Sequence, residues 1–443
     1  ATINNQGTAT NFGATGAASW TTTVKTNSDS GFTATAGEGY FLNTTAGTIS
    51  VNLPAGSAGA VVAFKDYAKT WDTNNVTLVQ NGSDKIGGST VNAILTTEGA
   101  AVTLVFIDST QGWLVTDDGL QSTASTAQFV SASGGNSVAT SGCGNFKLHT
   151  FTSPGTFTVC SAGNACGSNT IDYLVVAGGA SGGRGRSGGG GAGGFRLSNG
   201  YGSPAPKMSP LASPTALPVT ATGYPVTVGA GGAAQTSSAA GNNGSNSIFA
   251  GTTTITSAGG GGGGQDGTTG GDGGSGGGGG ESSVSSNIGA GNTPPVSPSQ
   301  GFPGGASDHA PPTGGPHPVS PAPYAGGGGG GASEQGNRGA PGGAGGAGSF
   351  IPSSDFGGSN GTSGPVSCAQ YFAGGGAGIG CASSSPGASV SGGVGGGGTA
   401  PAPGTAGNGT VNTGGGGSGF GNTGSGTTGA GGSGIVIIRY KFQ

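Results

Sequence analysis

The stretch whose residue types and spacing most suggest chemistry is Gly183-Arg-Gly185-Arg-Ser-Gly188, just downstream of the apolar run IDYLVVA. It fits G-x-G-x-x-G, whose glycines let a backbone close on a dinucleotide pyrophosphate at a helix start. The context such a site needs is missing. Residues 188–194 read GGGGAGG, and glycine costs about 1 kcal/mol per residue in a helix relative to alanine. No Asp or Glu lies between Asp172 and Asp266, so the acid that would hold a ribose hydroxyl is absent. Gly-Lys-Ser/Thr is absent too. No cofactor is expected.

The remaining candidates are sparse. His309 and His317 share the segment DHAPPTGGPH with Asp308, but a metal would need further ligands; none is expected. Cys143 and His149 lie on one probable strand and turn, and nothing marks the third group that an activated thiol requires. With 16 Asp and Glu scattered over 443 residues, no carboxylate pair for glycoside hydrolysis can be nominated. The chain therefore reads as no enzyme. Aromatic and imidazole side chains on long loops commonly anchor contacts. Tyr201, His309, His317 and Tyr324 are nominated as receptor-contacting residues, with burial at the end of a bundle as the even alternative. Phe350, Phe356, Tyr371 and Phe372 are read as buried caps.

Composition sets the class. Of 443 residues 109 are glycine and 6% are charged, whereas average proteins hold about 7% glycine. Thr, Val, Ser and Gly replace the strong helix formers, so strands and loops are expected throughout. Net charge is −4; without a cationic stripe there is no means of displacing counterions from phosphates, and nucleic acid is not expected as a partner. No apolar run of about 18 residues is present, so no membrane insertion is expected. The first residues have neither a basic nor an apolar region of a secretory signal, and synthesis in the cytoplasm is expected. The five cysteines are too dilute for a disulfide scaffold. Free thiols are the main reading; a Cys368–Cys381 bridge across a glycine run is the other.

The elements that would position any site fall into four parts. Residues 1–17 are small and polar, an attachment arm. Over 18–118 come eight short β-branched runs, among them WTTTVKT, GYFLNTT, TISVNLP, AVVAFKD and AVTLVFID. Such spacing predicts a β-sandwich or jelly-roll, with Val61, Val62, Ala63, Phe64, Leu104, Val105 and Phe106 in its core and Trp71 and Trp113 closing the ends. Residues 119–143 read as a Ser/Thr/Gly linker, and 144–443 as a glycine-rich domain. That domain opens with GNFKLHTF, GTFTVC and IDYLVVAG and closes on the strand SGIVIIRYKFQ.

Between those strands, 179–432 has almost no apolar surface to offset ordering entropy. Glycine is not held to every third position, which excludes collagen. A threefold extended helix of glycine nevertheless points its N–H and C=O groups outward. Neighbouring rods can then approach until their main chains hydrogen-bond, aided by Cα–H···O contacts. A Cβ would hold them apart. Glycine runs at 178–194, 229–233, 258–280, 325–348, 373–380, 391–398 and 413–434 supply the rods. The Pro-rich or polar segments 199–226, 282–324, 351–372 and 400–412 supply end loops. The expected fold class is all-β plus glycine-rich, a sandwich followed by a polyglycine-II-type sandwich closed by terminal β-strands.

FTSPGTFTV, DYLVVAGG, GGFR within long glycine runs, and GGSGIVIIRYKF together resemble the glycine-rich module of tailed-bacteriophage virion proteins over 144–443. The stretch from GYFLNTTAGTISVNLP to VTLVFIDSTQGW is similar to a β-module of marine cyanophage structural proteins. In adhesins of this kind polyglycine rods carry variable loops that contact the host. The resemblance implies a virion surface protein acting as a host-receptor-binding tail fibre or adhesin. Its amino-terminal domain would bind other virion proteins, and its loops a host glycan or outer-membrane protein. The alternative it leaves is a capsid (head) decoration protein or head fibre. Homotrimers are common among such fibres, though no repeat here demands one.

Overall fold

In the amino-terminal region the strands from Phe32–Thr33 to Val76–Val79 alternate between two sheets. Phe32–Thr33, Ile49–Asn52, Val76–Val79 and Ala93–Leu95 form one sheet. Ser19–Trp20, Glu38–Asn43, Val61–Asp66, Ala101–Phe106 and Trp113–Asp117 form the second, with Lys25–Thr26 also paired to Glu38–Asn43. This alternation makes in-sheet neighbours parallel, as in the pairs Gly39 with Ala63 and Ile49 with Val76. Alternate residues such as Leu42, Val51, Phe64, Leu78 and Leu104 meet in one core, each large side chain contributing about 1.5–3 kcal/mol on burial. Trp71 and Trp113 are fully buried there. Val105 is half-buried on the outer face instead. Asp66 is buried but satisfied, accepting the N–H groups of Thr70, Trp71 and Gly99.

The computed structural model describes residues 2–3, 9–10, 18–118, 127–141, 144–165, 167–203, 208–282, 287–308, 324–339, 343–381, 389–400, 405–421 and 426–443, less a few side chains. Two compact units result, Ala1–Thr126 and Ala127–Gln443. No α-helix occurs among the described residues. Within the arm Thr2–Ile3 pairs with Ala9–Thr10.

The second unit starts inside the segment read as a linker. Val130–Ser133 pairs with Gly155–Ala162, and Ser137–Thr140 with Phe146–Phe151. The latter strand is exposed at all four positions, so it carries no apolar pattern to betray it. A five-stranded sheet runs Val130–Ser133, Gly155–Ala162, Gly223–Thr227, Ser247–Ala250, Thr254–Ser257. A second sheet places Ile435–Lys441 between Phe146–Phe151 and Thr170–Val176, then continues to Phe195–Ser198 and Ala212–Ser213. Its central strands are buried on both faces. Tyr173, Val175, Val436 and Ile438 face the five-stranded sheet, while Leu174, Val176, Ile435 and Ile437 face a cluster holding Phe195, Ile351, Phe356 and Phe372. That two-sided burial explains the unbroken apolar runs IDYLVV and IVII.

The expectation that 179–432 lacks apolar strands is thus corrected. The chain returns to the sheets at Phe195–Ser198, Gly223–Thr227, Ser247–Ala250 and Thr254–Ser257, and again in the hairpin Ser349–Pro352/Ala369–Phe372. Between these returns it runs in glycine rods.

Candidate functional site

The rods bond with a period of three. In 178–183, Gly178 and Ser181 donate to Ser245 and Asn242, Gly179 and Gly182 to Gly432 and Gly429, and Ala180 and Gly183 to Gly191 and Gly188. Each third residue meets the same neighbour, as a threefold extended helix requires. The rod 187–194 lies at the centre. Gly188, Gly191 and Gly194 donate to Gly264, Gly261 and Ala258; Gly189 and Ala192 to Gly327 and Gly330; Gly190 and Gly193 to Gly417 and Gly414. Three further rods donate into it, through Ala180, Gly278 and Gly376. Six neighbours surround one strip of main chain. An added Cβ at Gly188, Gly189, Gly190, Gly191 or Gly193 would lie well inside 3.0 Å of a backbone oxygen. Glycine is therefore required by contact along this rod.

The bond registers sort the turns into two ends. Rods meet the sheets at residues such as Ala177, Gly194, Ala258 and Gly434. At the far end lie the reversals 184–186, 234–239 and 265–269, together with Glu281, Asp308 and Arg338. Ion pairs collect there: Arg186 Nη1 is 2.7 Å from Glu281 Oε2, and Arg338 Nη2 is 3.1 Å from Asp308 Oδ1. Desolvation, then the neighbouring Glu281 charge, raises the Asp266 carboxyl above its ordinary value.

The sheet end holds a buried ion pair that pattern reading missed. Arg439 Nη2 lies 2.6 Å from Asp172 Oδ2, with both side chains essentially inaccessible. Ser198 Oγ and the N–H groups of Gly200 and Tyr201 also donate to Asp172. The guanidinium is flanked by the rings of Phe356, Phe146 and Tyr201 and donates to Ser203 Oγ.

The nominated residues do not share a surface. Tyr201 is half-buried beside the Asp172–Arg439 centre, its hydroxyl donating to Thr170 O. The backbone of Tyr324 pairs with Cys381 at the far end; its side chain, and all of His309 and His317, lie outside the described residues. Phe356, Tyr371 and Phe372 are buried, and Phe350 is half-buried. The described parts of 199–226 and 351–372 pack at the sheet end, whereas 287–308 and 405–412 run between both ends.

The Cys368–Cys381 bridge is not made. Cys368 is free and exposed, at the turn before Ala369–Phe372. Residues 374–379 then bond with the three-residue period, Gly374 and Ala377 to Gly395 and Gly398, Gly375 and Gly378 to Gly346 and Gly343, and Gly376 and Ile379 to Gly190 and Ser187. Such a rod spans roughly 20 Å at about 3.1 Å per residue, whereas a disulfide needs Cα atoms within about 7 Å. Among the described residues no group of three or more His, Cys, Asp or Glu could hold a metal ion, and no helix is long and apolar enough to cross a membrane.

Three likenesses to known proteins accompany this architecture. Residues 152–441 match the family described as "Glycine-rich domain". Residues 2–161 match "Bacteriophage T4 gp9/10-like protein, N-terminal". Over 70 residues the chain is 41% identical to the baseplate wedge protein gp10 of Enterobacteria phage T4, a stretch amounting to 15% of this chain and 12% of that relative. The chain thus belongs to the glycine-rich domain family and, with its gp9/10-like amino-terminal part, is a bacteriophage virion structural protein carrying a glycine-rich module.

Proposed function

We propose that this chain is a host-receptor-binding component of the phage tail, displayed on the virion surface. The amino-terminal unit attaches to other virion proteins. The glycine-rich unit presents its far-end turns to a host glycan or outer-membrane protein. The observation that carries this reading is the segregation of the turns. Val130–Ser133 and Ile435–Lys441 both lie on the sheets. The opposite end is left for charged reversals. Similarity to a protein named as a baseplate wedge favours the tail over the head.

Recognition here involves no chemical step. A lattice bonded through main chains holds its turns still, so little conformational entropy is lost when they bind. Several copies per particle, as in a homotrimer, multiply avidity.

The test replaces 309–323, bracketed by far-end residues, with a Gly-Ser linker in assembled virions. Adsorption to host cells should be lost, while the same linker inserted after Pro365, exposed at the sheet end, should leave it intact. Normal adsorption by the 309–323 variant, or labelling of heads instead of tails by antibody to this chain, contradicts the reading.

A further inference from the structure

We propose that His149 is an acid-operated clasp on 130–140, the segment that crosses from the five-stranded sheet to the second sheet of the glycine-rich unit. His149 is 1% exposed and uses both ring nitrogens. Its Nδ1 lies 2.7 Å from Gly134 O, and its Nε2 lies 3.1 Å from Tyr440 Oη. Tyr440 Oη in turn accepts the N–H of Ala132 at 3.2 Å. One imidazole thus ties two points of the segment, Gly134 directly and Ala132 through Tyr440, to the strands Phe146–Phe151 and Ile435–Lys441. These contacts assign the neutral tautomer: Nδ1–H donates to the carbonyl, and Nε2 accepts the tyrosine proton.

Acid removes that arrangement. A proton taken from solvent onto Nε2 turns it into a donor, and the Tyr440 hydroxyl must redirect its own proton. The alternative acceptor is Ala132 O at 3.5 Å, a marginal distance. The cation would also sit in an apolar shell, edge-on to Phe157 and stacked on Tyr440. The charged or titratable groups around it give no relief. Lys147 on its own strand repels it, Tyr440 lies on Ile435–Lys441, and Cys160 lies on Gly155–Ala162. The segment VSASGGNSVAT has no ionisable side chain. Desolvation holds the His149 pKa below its ordinary value, against the partial support of the Gly134 carbonyl.

Opening this segment brings the cation to water. Gly134 and Gly135 at its turn take φ values of +103° and +95°. Val130–Ser133 and Ser137–Thr140 are both edge strands, each paired on one side only, and Val130 is the one buried residue of 130–140, so little apolar surface beyond its side chain is uncovered when the segment leaves.

The experiment is amide hydrogen exchange on the full chain at about pH 7 and about pH 5, corrected for intrinsic rates. Exchange in 130–140 should accelerate severalfold, while 187–194 stays unchanged. His149→Gln, which keeps both hydrogen bonds and cannot titrate, should abolish the acceleration. If that variant fails to fold, a nuclear magnetic resonance titration of wild-type His149 serves, its midpoint coinciding with the exchange change. Unchanged exchange in 130–140, acceleration spread evenly over the unit, or acceleration that persists in His149→Gln would each overturn the clasp.

Discussion

Asp172 and Arg439 are direct cross-strand partners on antiparallel neighbours, and their side chains form a 2.6 Å ion pair with 0% and 1% exposure. They are the only charged residues within IDYLVV and IVIIRY, and each is the other's reason to be there. Removing one partner leaves a charge buried without compensation, a loss of about 3–5 kcal/mol. Asp172→Ala should lower the unfolding free energy of the second unit by that amount in urea titration. The double change Asp172→Leu/Arg439→Met should recover most of it. A single variant within 1 kcal/mol of wild type would show that the pair is not a structural centre.

His149 gives stability a pH dependence of definite sign. In the unfolded chain it titrates near 6.5; in the fold, burial holds it lower. The unfolded state therefore binds more protons at moderately acid pH, and stability rises with pH in that range. The contribution is complete above about pH 6.5 and fades below it, toward the depressed folded value. Thermal midpoints should fall between about pH 6.5 and pH 5, and His149→Gln should flatten that part of the curve. An identical profile in the variant would assign the dependence to other groups.

The glycine lattice makes substitution costs depend on direction. At Gly190 a Cβ would strike the backbone of Ala180, and both neighbours are fixed by bonds to third rods. Gly190→Ala should destabilise by about 1–3 kcal/mol or more, the range for overpacking, lowering the melting temperature by several degrees. Ser245→Ala, on an exposed face of a peripheral rod, should fall within about 0.5 kcal/mol of wild type. Equal effects at both sites would remove the distinction between inner and outer rod faces.

What the sequence made legible follows from how many faces an element buries. GYFLN, VVAFKD and IVIIRYK announce themselves through alternation or unbroken apolarity, and 187–194 announces a rod because all its faces meet main chain. The rods 240–246 and 300–307 were missed because they border the lattice. Only Gly241 and Gly244 in the first, and Gly301 and Gly304 in the second, keep a three-residue glycine spacing toward it. Exposed Asn and Ser fill most of the other positions of 240–246. The parallel wiring of the first unit was not readable, since strand runs do not state which sheet they join. His149 carried no signal beyond being a lone imidazole in an apolar strand. Asp172 and Arg439 did carry one: two opposite charges in the two most apolar runs had to find each other. Tyr201 was nominated as a loop aromatic because its link to Asp172, 29 residues away, is tertiary.

Everything attributed to the second unit rests on main-chain hydrogen bonds holding 187–194 between six neighbours. Native-state amide hydrogen exchange of that segment tests this most directly. The account predicts that Gly188, Gly189, Gly190 and Gly191 exchange as slowly as the central strand Ile435–Lys441, because both open only with the whole unit. Exchange of those glycines at the rate of an unstructured peptide, with Ile435–Lys441 still protected, would contradict it.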